Sequence, residues 1–149
     1  MTQVSANGAG DPPDLNVWLA LLNANHPRHD AAKKYWISLS DARMFFCHIN
    51  MLGVLRLSTN KTVTCGAPYT TAVAWQAYRN VAAIPEVGFS TEPLGIEKTM
   101  EQFAQSKDFF HADWTDAYLA AFAQLTGLRL MTFDSDFSKY KDLSRQLLP

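Results

Sequence analysis

The stretch that most constrains the fold runs from Trp114 to Phe137, WTDAYLAAFAQLTGLRLMTFDSDF. Its large apolar residues Trp114, Tyr118, Phe122 and Leu125 recur at helical spacing, and Ala117, Ala120, Ala121 and Ala123 keep that helix thin enough to lie close on a sheet. Asp113 suits an N-cap, Asp116 falls in the first turn where the helix dipole favours an anion, and Gly127 suits the left-handed residue that ends a helix. Leu128 to Thr132 is short and almost wholly apolar, as a strand covered on both faces must be, with Arg129 reaching an end or an edge. Asp134 and Asp136 follow where that strand stops. A helix with an acid in its first turn, returning through a strand that ends in two more, points carboxylates toward one end of a sheet. In open α/β sheets that is the end where sites form.

The remainder of the chain alternates in the same way. Gly8 to Pro13 is poor strand material, because proline brings no N–H to a ladder, so the first strand is expected to be short or irregular. A helix over Asn16 to Asn23 follows, then one opened by Pro27 and carrying Ala31, Ala32, Tyr35, Trp36 and Leu39. Met44 to His48 reads as a strand and Asn50 to Thr59 as a helix. Thr70 or Thr71 caps a helix bearing Ala74, Trp75, Tyr78 and Val81. Val87 to Phe89 is a strand, Ile96, Met100 and Phe103 mark a helix, and a helical turn over Lys139 to Leu143 leads to a last strand at Gln146 to Leu148. Strands alternating with helices imply α/β with a mostly parallel sheet of four to five strands. One domain over residues 12–149 is expected behind a mobile tail, residues 1–11, which has little to bury.

The organising stretch also carries a family signature. It resembles the PIN-domain ribonucleases, specifically the VapC toxins of toxin-antitoxin pairs, whose second half commonly reads W-x-D-A-x-L-A-A-x-A and then G-x-x-L-x-T-x-D-x-x-F. Further anchors are Pro13 to Leu21, His26-Pro-Arg-His29 leading to Ala32 and Trp36, Leu52-Gly-Val-Leu-Arg-Leu57, Ala74-Trp75 and Glu92-Pro93. The resemblance implies a PIN-like three-layer α/β/α fold that brings Asp14, Asp116 and Asp134 to one end of the sheet, with Asp136 as a fourth member. Asn16 and Thr132 are expected to fix those carboxylates. In many such nucleases a helix glutamate completes the cluster; here the matching position is Met51, with Asn50 beside it, and Glu92 is a substitute to test.

Two carboxylates about 4 Å apart repel by about 4 kcal/mol at an effective dielectric near 20, so a cluster of them calls for a cation. Ligands that are all oxygen select Mg²⁺, with Mn²⁺ able to substitute, over zinc. The reaction expected is metal-dependent hydrolysis of RNA phosphodiesters, with Asp14, Asp116 and Asp134 as the catalytic, metal-holding acids. The competing reading is a PIN-like module that binds RNA or protein without cleaving, the helix glutamate being absent. A phosphorylated receiver domain is disfavoured, since no paired acids follow the first strand. Net charge is −1, so RNA must be met by a local basic rim, for which Arg56, Lys61 and Lys139 are candidates. His26 and His29 are read as loop or cap residues, Cys47 as a buried small hydrophobe. A cognate VapB-type antitoxin and a second copy of the chain are the partners the resemblance implies; four Trp, nine Phe and five Tyr are also many for one core to hide. No membrane partner is expected, since the longest apolar run is far too short to span a bilayer, and a cytoplasmic protein is inferred.

Overall fold

The computed structural model describes residues 10–39 and 43–149. Alternation at period two fixes its central layer. In β2 (Arg43–Phe46), Met44 and Phe46 pack with Trp18, Ala32 and Tyr78, whereas Phe45 and the following Cys47 pack with Ala117, Ala120 and Phe122. β4 (Leu130–Thr132) repeats the pattern, Leu130 joining the second group and Met131 the first. The two groups are the two sides of one sheet. On one side lie α1 (Leu15–Leu22), α2 (His29–Ser38), α3 (His48–Ser58) and α4 (Thr71–Ala82); on the other lie α5 (Ile96–Ala104) and α6 (Trp114–Thr126). This is the expected three-layer α/β/α architecture.

Every strand pairing is parallel. β1 (Gly10–Asp11) pairs with β2, β2 with β3 (Val87–Phe89), and β4 with β5 (Arg145–Leu147). The three-stranded and two-stranded parts meet through a bridge between Pro13 and Met131 and through the Asp14 N–H, which donates to the Met131 carbonyl at 2.7 Å. The order is therefore β3-β2-β1-β4-β5. The chain leaves β1 toward one edge and returns to build the other, so the strand order reverses between β1 and β4. Such a switch point leaves a crevice at the carboxyl ends of the two strands.

The first strand is short, as its prolines require, but it begins earlier than the sequence suggests. Gly10 and Asp11, expected to end the tail, are buried and paired, and residues 1–9 of that tail lie outside the described residues. Gly10 is required by space, since a Cβ there would stand 2.3 Å from a Phe45 ring carbon and 2.8 Å from the Arg43 carbonyl. Asp11 takes the Arg129 guanidinium through Nε at 3.2 Å and Nη2 at 3.0 Å, and the Tyr35 hydroxyl at 2.9 Å. That fork explains an arginine beside an apolar strand, and it lies at the end of the sheet remote from the crevice.

Helix α6 corrects the expected apolar face. Trp114 and Leu125 are 52% and 40% exposed, while Ala117, Leu119, Ala120, Ala121, Phe122 and Ala123 are buried. Packed between α5 and the sheet, the middle of the helix has no solvent face, and its alanines allow the close approach. Gly127 ends it with φ of 69°. Thr70 accepts the Val73 N–H at 3.2 Å and so caps α4, but Pro27 lies in the turn before α2 rather than in its first turn. The last helical turn falls at Ser135–Lys139, earlier than the expected 139–143. Among the described residues no helix is long and apolar enough to cross a membrane.

Candidate active site

The crevice gathers acids from three separate elements. Asp14 closes β1 and precedes α1, Asp116 sits in the first turn of α6, and Asp134 follows β4. A chain of hydrogen bonds sets their order: the Thr132 hydroxyl donates to Asp14 Oδ2 at 3.1 Å and accepts the Asp134 N–H at 2.9 Å, and Asp134 Oδ1 accepts the Asp136 N–H at 2.8 Å. Thr132 thus joins two of the acids directly. Asn16 does not reach Asp14 with its side chain; its backbone amide and that of Leu15 favour the carboxylate, without closing a capping hydrogen bond. Asp113 accepts from the Phe110 N–H at 2.8 Å and from Lys139, so it ties down the turn before α6 rather than capping the helix.

Burial, opposed by the Thr132 hydroxyl, pushes the Asp14 carboxyl up to about 6, and the Asp134 charge adds to the rise. Asp116 is also raised to about 6, first by burial and then by the charges of Asp14 and Asp134, with Lys139 pulling the other way. Asp113 is held below the usual carboxylate range by Lys139 and the Phe110 amide. Tyr140, a buried hydroxyl without a protein partner among the described residues, is raised by burial and by the charges of Asp116, Asp113 and Asp134. Four aspartates therefore share one field.

A pH dependence follows. For Asp14 and Asp116 the folded protein binds protons more tightly than the unfolded chain, whose carboxyls titrate near 3.8. Between that value and about 6 the folded state carries more protons, so stability falls as pH rises through this window. In a chelator, the protein is expected to melt at a higher temperature at pH 5 than at pH 7.5, the two raised aspartates outweighing His26, whose imidazole is lowered by burial and by the Arg28 charge and so acts in the opposite direction. The partly exposed Asp116 contributes less than the buried Asp14. A higher melting temperature at pH 7.5 would contradict this electrostatic picture.

A family model described as PIN domain matches residues 13–143. This chain is 36% identical over 142 residues to Ribonuclease VapC41 of Mycobacterium tuberculosis, covering 91% of this chain and 96% of that one. The chain is a PIN-domain protein of the VapC family. Among solved structures, the Mycobacterium tuberculosis toxin VapC20, described as cleaving the sarcin-ricin loop, superposes with a TM-score of 0.66 at 22% identity, over 87% of this chain and 93% of that one. VapBC2 from Rickettsia felis, bound to a DNA fragment from its promoter, gives 0.71 at 10% identity, over 93% and 98%. These two similarities speak for the fold.

Other residues singled out from the sequence take distinct places in this PIN domain. Met51 packs on the side of the sheet that holds Trp18 and Tyr78, whereas Asn50 is buried and donates through Nδ2 to the Pro13 carbonyl at 2.8 Å. It is therefore Asn50 that α3 presents to the end of β1, one residue from Asp14. Glu92 is exposed and accepts the Tyr118 hydroxyl at 2.9 Å, apart from the charges that raise Asp14 and Asp116. Asp136 is exposed and meets the cluster through its amide. Arg56 lines a groove between α3 and α4, eight residues down a helix that starts at the crevice, which is a rise of about 12 Å. Lys61 is exposed in the loop beyond it. Of the three candidate cations, Lys139 alone stands at the acids, already engaged by Asp113. His29 Nδ1 bonds the Ala20 carbonyl at 2.7 Å and joins α2 to α1. Cys47 is buried, its thiol pushed up to about 11 by burial. The missed neighbours are His26, Arg28 and Phe133, which line a cleft with Asn16, Asp134 and Ser135. Helical and strand periodicity say nothing about where the turn before α2 lands.

Proposed function

We propose that this chain is the ribonuclease toxin of a toxin-antitoxin pair, hydrolysing RNA phosphodiester bonds with Mg²⁺, for which Mn²⁺ can substitute. The observation that carries the reading is the convergence of Asp14, Asp116 and Asp134 at the switch point, two of them raised to about 6 by burial and by neighbouring acids. Among the described residues no three acid, imidazole or thiol side chains approach closely enough to form a ready-made metal cage. Mg²⁺ ordinarily keeps several waters and shares its shell with substrate phosphate, so contacts to these acids through water are expected. Asp14, Asp116 and Asp134 would hold the ion, directly or through water, with Asp136 behind Asp134. Bound there, it would lower the pKa of a water and offset charge on the phosphate.

The residues of the chain do the rest. Thr132 orients the Asp14 carboxylate and fixes the Asp134 backbone, Asn50 holds the end of β1, and Asp113 keeps Lys139 beside the acids. For partners, the reading includes a VapB-type antitoxin and a second copy of the chain. A mainly apolar groove of about 290 Å³ between α3 and α4, lined by Leu52, Leu55, Arg56, Thr59, Ala74 and Trp75, suits an amphipathic antitoxin helix. One observation favours the non-cleaving alternative: α3 brings an amide, Asn50, to the end of β1, and Met51 stands at the position matching the glutamate of many PIN nucleases.

Purified chain freed of partner, incubated with total RNA, is expected to cleave in Mg²⁺ or Mn²⁺ and to stop in chelator. RNA bound but uncut in every metal would favour the binding module. A monomer by light scattering at tens of micromolar, with no partner recovered from the native host, would remove the partner half of the reading.

A further inference from the structure

The cleft beside the acids has a volume of about 300 Å³, the lower end of the range for small-ligand sites. Its lining mixes acidic, basic and amide side chains. Asp134 and Ser135, continuous with the acidic cluster, line the cleft together with Arg28, His26 and Asn16. The Arg28 guanidinium lies 4.9 Å from the centre of the Phe133 ring, and its Nη1 donates to the Phe133 carbonyl at 3.2 Å. Phe133 lies between Thr132 and Asp134, so the cation is fastened to the same turn that carries the acids. Among the described residues the ion pairs are Arg129 with Asp11 and Lys139 with Asp113, and Arg28 takes part in neither. His26 Nδ1 accepts the Arg28 backbone N–H at 3.1 Å, which leaves the other ring nitrogen to carry the proton as a donor.

We propose that this cleft holds the RNA backbone next to the bond to be cut, with Arg28 binding a phosphate and His26 and Asn16 donating to the same nucleotide. The inference rests on the ribonuclease reading above. An extended polyanion that must bring one phosphate among aspartates needs a cation close by to offset the repulsion, and Lys139 is already paired. A guanidinium held over a ring and bonded to a carbonyl loses less freedom on binding and keeps further N–H groups for a phosphate.

The test uses the full chain and a labelled single-stranded RNA oligonucleotide of mixed sequence. Binding is followed by fluorescence anisotropy in chelator, over about 50 to 200 mM salt. Arg28→Gln is expected to weaken binding about five- to tenfold and to lower the slope of log affinity against log salt by about 0.7, the loss of one phosphate contact. Arg28→Lys is expected to restore the slope but only part of the affinity. In Mg²⁺, Arg28→Gln should raise KM for cleavage by the same factor with kcat within about twofold, as expected for lost uniform binding. If Arg28→Gln melts lower because its bond to Phe133 is gone, His26→Ala leaves that bond intact and should weaken binding about three- to fivefold. Unchanged affinity and salt slope in both variants, with a parent that binds and cuts RNA, would overturn the cleft and leave the ribonuclease reading standing. A fall in kcat alone would also overturn it, as would loss of binding to a partner protein without loss of binding to RNA. A parent that neither binds nor cuts RNA would remove the reading on which the inference rests.

Discussion

Asp116→Asn is expected to lower RNA cleavage by at least about two orders of magnitude, a typical cost of removing one group aimed at developing charge. The metal-free protein is expected to keep or gain stability. The first turn of α6 gives a carboxylate about 0.3 to 1 kcal/mol from the helix dipole. Against that stand burial and the charges of Asp14 and Asp134, which raise this carboxyl to about 6. At pH 7.5 the charge is therefore held at a cost, and a neutral amide of the same shape relieves it. Mn²⁺ should reverse the ranking, because an ion at about a hundred times its Kd adds about 2.7 kcal/mol to folding and the parent holds it more tightly. Melting curves with and without Mn²⁺, beside a cleavage assay, decide the matter. An Asp116→Asn protein that is destabilised yet active would falsify the site.

The second large effect lies at the opposite end of the sheet. Arg129→Met is expected to cost about 3 to 5 kcal/mol, because it strands a buried carboxylate. Asp11 is only 3% exposed, and without the guanidinium its one remaining side-chain partner is the Tyr35 hydroxyl. Asp11→Asn is expected to cost less, about 1 to 3 kcal/mol, through weakened hydrogen bonds. The asymmetry arises because the Arg129 side chain is 45% exposed and can turn to water, whereas Asp11 cannot. Urea unfolding of the two variants tests the order. Equal costs, or Asp11→Asn as the worse change, would show that the fork contributes little beyond its packing.

Much of this was legible in the sequence for a physical reason. Strands Val87–Phe89 and Leu130–Thr132 are short apolar runs between glycine, proline and acidic turns, and such runs have few other ways to hide. Asp14, Asp116 and Asp134 could be placed because each sits at the end of an element, where chain direction fixes the end of the sheet. The sequence was less informative where tertiary contact decides. Whether Asn50 or Met51 faces β1 depends on a rotation of α3 by one residue, and the apolar content of that helix does not specify it. Gly10 and Asp11 look like tail by composition, and their partners Phe45, Tyr35 and Arg129 are distant in the chain. Arg28 reaches Phe133 across 105 positions, and no local rule carries that far.

The two prolines that shorten β1 also make its border with β4 a thin line of the sheet. Three backbone bonds cross it: Arg129 to Gly10 at 3.5 Å, Met131 to Pro12 at 3.4 Å, and Asp14 to Met131 at 2.7 Å. The first two are long, and neither Pro12 nor Pro13 has an N–H to add. The acids straddle this line, with Asp14 on the flank of β1 and Asp116 and Asp134 on that of β4. In mechanical terms the sheet is two plates meeting at a lightly stitched joint, with like charges set across the gap at one end and the Asp11–Arg129 fork as a clasp at the other. A cation or ligand that engages both flanks would act as a second clasp, so that the occupant of the crevice and the rigidity of the whole sheet are set together.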